Sequence, residues 1–145
     1  MARSTQMLGR VPDTKIFYRP SFLFAWFRDI GPTNRRRYRD ISRHRDTFLP
    51  LLYVPFQLLV IVSIVGPTST SASYLLLLPI CGAFCDWLEN RNLVWLCDRF
   101  ESWQEFGAFP DGEAMRTAWA ATAFTFLKWV LPLFGAVGAL SYRWH

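Results

Sequence analysis

YLLLLPICGAFCDWLENRNLVWLC, residues 74–97, opens as an apolar run of the kind that enters a bilayer, and its spacing then sets Asp86, Glu89 and Asn90 on one helical face. Carboxylates in such a run need a partner, because an isolated charge in hydrocarbon costs at least ~2.5–3.5 kcal/mol. Lys128 is the one charged residue between positions 117 and 142, inside the next apolar run. If the two runs form an antiparallel hairpin, a rise of ~1.5 Å per residue puts Asp86 roughly 17 Å from Cys97 and Lys128 roughly 21 Å from Ala114. The charges then meet at one depth, and an intramembrane ion pair of Lys128 with Asp86 or Glu89, with Asn90 beside it, is expected.

Working outward, residues 47–65 carry no charge and are long enough to cross about 30 Å of hydrocarbon. Pro50 falls in the first turn, where a missing amide donor costs little, while Pro55 should bend the helix. Gly66-Pro67 ends the run, and 68–73 form an uncharged, hydroxyl-rich turn. Residues 98–113 read as a loop, amphipathic at first and then turn-like. Along 114–142, Ala114, Ala118 and Thr122 make one small-residue stripe and Ala121 and Thr125 continue a second, which predicts a close helix contact. The sequence therefore predicts an all-α integral membrane protein with three transmembrane helices, 47–65, 73–97 and 114–142. Its domain plan is an extramembrane arm over 1–46 and a transmembrane unit over 47–145.

The apolar content is 52% and the mean hydropathy +0.14, but charge is distributed unevenly. Residues 1–46 hold eleven Arg or Lys against four Asp, whereas 98–113 hold five acids against Arg99. Within the arm, Phe22, Leu23, Trp26, Phe27 and Ile30 recur at helical spacing, so 21–30 reads as a short aromatic helix, in the membrane interface or on a partner subunit, ended by Gly31-Pro32. Arg35, Arg36, Arg37, Arg39 and Arg43 follow directly before the first apolar run. They act as a topology signal that keeps the N-terminus on the cytoplasmic or matrix side, and they are expected to meet anionic lipid, cardiolipin in a mitochondrial membrane. The cluster lacks the interleaved aromatics of a single-strand platform, so no nucleic-acid partner is expected. The first residues are basic and faintly like a mitochondrial presequence, with no hydrophobic core of the secretory kind.

Cys81, Cys85 and Cys97 suggest small buried hydrophobes rather than a disulfide scheme. His44 and His145 stand at opposite ends of the chain, so neither a protein-bound metal nor another cofactor is expected beyond bound phospholipid. Trp95, Trp103 and Trp144 fit interfacial belts, with Trp87 and Trp129 deeper.

Residues 84–90, FCDWLEN, followed by TFLKW at 125–129, resemble a pattern in small multi-pass bacterial membrane proteins in which an Asp-x-x-Glu-Asn helix precedes a Lys-bearing one. In general build the chain is similar to accessory subunits of mitochondrial oxidative-phosphorylation complexes in divergent protists. That likeness implies a non-catalytic subunit of ATP synthase or a respiratory-chain complex in the inner membrane, holding other membrane subunits and lipid. Two alternatives stand beside it: a small channel or transporter using Asp86 and Glu89, and a membrane enzyme, for which the sequence shows no nucleophile and base.

Overall fold

Residues 112–142 form the last of four α-helices among the described residues, and its start is capped by a side chain. Asp111 accepts a hydrogen bond from the Ala114 amide through Oδ1 at 2.8 Å, which satisfies one of the free donors of the first turn. The computed structural model describes residues 12, 15–66, 70–106 and 110–142, with helices α1 (Pro20–Ile41), α2 (Pro50–Val65), α3 (Thr70–Phe106) and α4 (Gly112–Tyr142) and a short π-helical turn, Ser42–Asp46. Most of the extended arm before Tyr18, the start of the expected turn at 68–73, and Arg143 and Trp144 lie outside the described residues; 70–73, expected in that turn, are the first turn of α3.

α3 and α4 run antiparallel along their length. The small-residue stripe is the contact face: Ala114, Ala118, Ala121, Thr122 and Thr125 are all buried. At the far end Gly138 faces Leu75, Gly135 faces Leu75 and Leu78, and Gly82 fits against Pro132. α2 runs antiparallel to α3, since Tyr53 near its start reaches Asp86 and Ile61 near its end lies by Gly135. Gly66 closes α2 at φ 87°, its amide donating to the Val62 carbonyl at 2.9 Å.

α1 is two helices joined at a break. Gly31 has φ 72° and ψ 170°, a conformation nearly confined to glycine, and Pro32 starts the second segment. On the first segment, the stripe Leu23, Trp26, Phe27 and Ile30 packs against Leu93, Leu96, Cys97 and Phe100 of α3 and Ala114, Ala118 and Ala121 of α4. That stripe, expected in a membrane interface or on a partner, is covered by this chain's own hairpin. The arm and the helical unit thus share one core, the head of the molecule.

The helix boundaries and the number of spans differ from expectation. α2 begins at Pro50 and has 16 residues, about 24 Å at 1.5 Å per residue. α3 continues for 37 residues to Phe106, so most of the segment expected as a loop is helix. By length and composition, α4 is the one described helix long and apolar enough to cross a membrane, with α2 apolar but short. Asp86, Glu89 and Arg91 sit in the middle of α3, and the three-span expectation is met by a single helix.

Away from the head, large apolar side chains face outward. Leu51, Leu52 and Phe56 on α2, Leu77 and Phe84 on α3, and Phe126, Leu133 and Phe134 on α4 are exposed, Leu52 at 75%.

Candidate functional site: an ion knot beside a polar cleft

Asp86, Glu89 and Asn90 share a face because their offsets of three and four residues bring them round to one side of α3, toward α4. Lys128 Nζ lies 2.9 Å from Asp86 Oδ1 and 2.6 Å from Glu89 Oε2. The knot is closed: the Lys128 and Asp86 side chains are 10% and 12% exposed, and that of Glu89 is 0% exposed. Tyr53 of α2 donates to Asp86 Oδ2 at 3.3 Å, tying the third helix to the pair. Thr125 Oγ1 lies 2.5 Å from Glu89 Oε1 and 2.9 Å from the Ala121 carbonyl. A hydroxyl has one proton, so beside an ionised Glu89 it donates to the carboxylate. Two carboxylates sharing one ammonium leave the knot formally anionic.

Asn90 completes the face but does not join the knot. It is 3% exposed, and its Nδ2 has no hydrogen-bond partner among the described residues. Gln57 of α2, which the sequence did not single out, has a buried Oε1 in the same condition. Both line a cleft of about 300 Å³ between α2, α3 and α4, together with Tyr53, Asp86, Lys128 and Trp129. The sequence signal for Gln57 was a lone amide in an otherwise apolar run, one helical turn from Tyr53.

Cys97 and Ala114, the landmarks from which depth was counted, are both buried in the head core. The knot therefore sits below the head rather than midway along free-standing spans.

The arginines divide into different roles. Arg35, expected at lipid phosphate, is 2% exposed; its Nη1 donates to the Phe27 carbonyl at 2.6 Å and its guanidinium stacks over Phe100 at 4.9 Å. It caps the first segment of α1 across the Gly31 break and is closed to a headgroup. Burial pulls its pKa down, while the charge of Glu101 pulls it up. Arg36 pairs with Glu101 at 3.2 Å, Arg39 with Asp98 at 2.9 Å and Arg43 with Asp98 at 3.6 Å. The bond to Asp98 raises the Arg39 pKa. Arg37 is exposed. The basic block of the arm thus meets the acidic block of α3, a match present in the charge counts but not drawn from them.

The cysteines are unpaired, Cys85 and Cys97 buried and Cys81 exposed. No group of acidic, histidine and cysteine side chains among the described residues has the arrangement to hold a metal ion. No family model, curated protein or solved structure matches the chain.

Proposed function

We propose that the chain is a non-catalytic subunit of a membrane assembly. In this reading α4 crosses the bilayer, α2 and the first half of α3 insert beside it, and the head stays at the surface on the side of the basic arm. The observation that carries the reading is the outward-facing apolar belt, in which Leu51, Leu52, Phe56, Leu77, Phe84, Leu133 and Phe134 are exposed on three adjacent helices. Exposed apolar surface of that extent calls for lipid or neighbouring helices. α2 alone is short for the hydrocarbon, but exposed Phe48 and Leu49 lengthen its apolar face toward the head, and bilayers thin locally around short segments at modest cost. Trp87 and Trp129, the chain neighbours of Asp86 and Lys128, are partly exposed, and with Arg91 over the Trp87 ring at 5.7 Å they suit the headgroup boundary.

The closed knot supports a holding role over conduction. A proton or ion path needs a wetted carboxylate on each side, whereas Glu89 is sealed against Thr125 and Lys128. The mitochondrial inner membrane, an energy-converting complex as host, a matrix-side N-terminus and cardiolipin as companion lipid are carried by the resemblance in build and by the basic arm. Of the arginines, Arg37 and the exposed parts of Arg36 and Arg43 remain open to phosphate.

The test is topology together with partnership. Single cysteines at positions 36 and 73, in a variant lacking Cys81, Cys85 and Cys97, should label from opposite faces of the membrane, and the protein should resist alkaline extraction and migrate with larger partners in mild detergent. Labelling of both positions from one face would end the three-helix insertion. Extraction at alkaline pH as a free monomer would end the subunit reading.

A further inference from the structure

We propose that the cleft between α2, α3 and α4 seats the headgroup of an amine-bearing phospholipid, phosphatidylethanolamine by its chemistry. The proposal rests on the membrane reading above and names the ligand of the site beside the knot. The cleft is lined by two carboxylates, Asp46, which accepts a hydrogen bond from Ser42, and Asp86, which shares the Lys128 ammonium with Glu89. Gln57 adds a buried carbonyl oxygen with no partner among the described residues, an acceptor already desolvated. Leaving such an atom unpaired is costly, and a donor that reaches it recovers that cost.

A primary ammonium brings three N–H donors, as the lysine side chain does. It can place one on Gln57 Oε1 and one on the Asp86 carboxylate while adding the positive charge the knot lacks. Trp129, also on the cleft wall, brings an aromatic ring to the site, and ring faces attract cations. Asn90 Nδ2 is a donor, so it matches the phosphate or ester oxygens that follow the ammonium in the same headgroup. A quaternary ammonium has no N–H and leaves Gln57 unpaired, and an anionic headgroup meets the wrong sign of charge.

Size and position agree with a lipid. About 300 Å³ corresponds to roughly ten water volumes at ~30 Å³ each, room for a headgroup and not for a large solute. Leu52, Phe56 and Leu133, the chain neighbours of the lining residues Tyr53, Gln57 and Pro132, are exposed and apolar, so acyl chains have a surface to follow from the mouth.

The experiment places the full chain in nanodiscs of equal parts phosphatidylethanolamine, phosphatidylcholine and phosphatidylglycerol, re-extracts it gently and quantifies the retained lipid by mass spectrometry. Phosphatidylethanolamine should be enriched over phosphatidylcholine by about tenfold, the worth of one charge-assisted hydrogen bond. Gln57→Leu should abolish the enrichment, and Gln57→Glu should keep or raise it. Equal retention of the three lipids by the unaltered protein, or preference for phosphatidylglycerol, overturns the proposal whatever the variants do. Displacement of the retained lipid by millimolar free ethanolamine overturns the lipid as occupant and assigns the cleft to a soluble amine. Failure to enter the nanodisc at all refutes the membrane reading instead, so the two failures are told apart.

Discussion

Replacing Lys128 with Met strands two carboxylates at once. Lys128 lies 2.9 Å from Asp86 and 2.6 Å from Glu89, and none of the three side chains is more than 12% exposed. Breaking a buried pair by removing one partner costs about 3–5 kcal/mol, because the remaining charge keeps its desolvation penalty without its attraction. At ~2–4 °C per kcal/mol for a chain of this size, the midpoint of thermal unfolding in detergent should fall by about 6–20 °C. Glu89→Gln offers the sharper contrast. It removes one of two carboxylates competing for one ammonium, keeps the side-chain shape, and leaves Lys128 paired with Asp86, so its cost should stay within about 1 kcal/mol. Combining Lys128→Met with Glu89→Gln should cost less than Lys128→Met alone, and a double-mutant cycle read by circular dichroism during heating measures the coupling. If Lys128→Met melts within about 2 °C of the unaltered protein, or Glu89→Gln is the more damaging, the knot is not what fastens α3 to α4.

Other positions test other parts of the fold. Gly31→Ala should lose about 1–3 kcal/mol in a chemical unfolding titration although nothing lies near its new methyl, because the cost is conformational at φ 72°. Gly82→Ala would place a methyl carbon 2.9 Å from the rigid Pro132 ring and should destabilise by about 1–3 kcal/mol, whereas Gly138→Ala meets only the mobile end of Leu75 and should be nearly neutral in the same melt. Arg35→Lys should cost about 1.5–3 kcal/mol in the same titration, since lysine lacks the planar fork that both caps Phe27 and stacks on Phe100. Arg36→Lys, at an exposed pair with Glu101, should change stability by less than about 1 kcal/mol.

What was legible in the sequence follows from which signals are local. Charges in apolar runs must be paired, so the meeting of Asp86 and Glu89 with Lys128 could be anticipated from spacing alone. A small-residue stripe marks close approach, and Gly31-Pro32 marks a break. Periodicity, however, gives a helix its apolar face without saying what covers it, and Trp26 and Phe27 found their cover on α3 and α4 of the same chain. The segment after Cys97 carries an amphipathic pattern that suits a loop or a helix. In the folded chain it is helix, and Asp98 and Glu101 in it pair with Arg36, Arg39 and Arg43 from far away in sequence. Arg35 shows the same limit within one cluster. Nothing in its neighbourhood separates it from Arg36 or Arg37, and only the position of Phe100 makes it the buried one.

The head core has a consequence for the order of synthesis. Trp26 and Phe27 are made early, but their cover includes Ala114, Ala118 and Ala121 in the last helix. At ~5–20 residues per second, translation from position 30 to position 114 takes about 4–17 s, and throughout that interval the aromatic stripe lacks the α4 part of its native cover. α4 is thus the closing piece for the head as well as for the knot, and a chain stalled before it leaves the aromatic helix half covered, with only α3 against it.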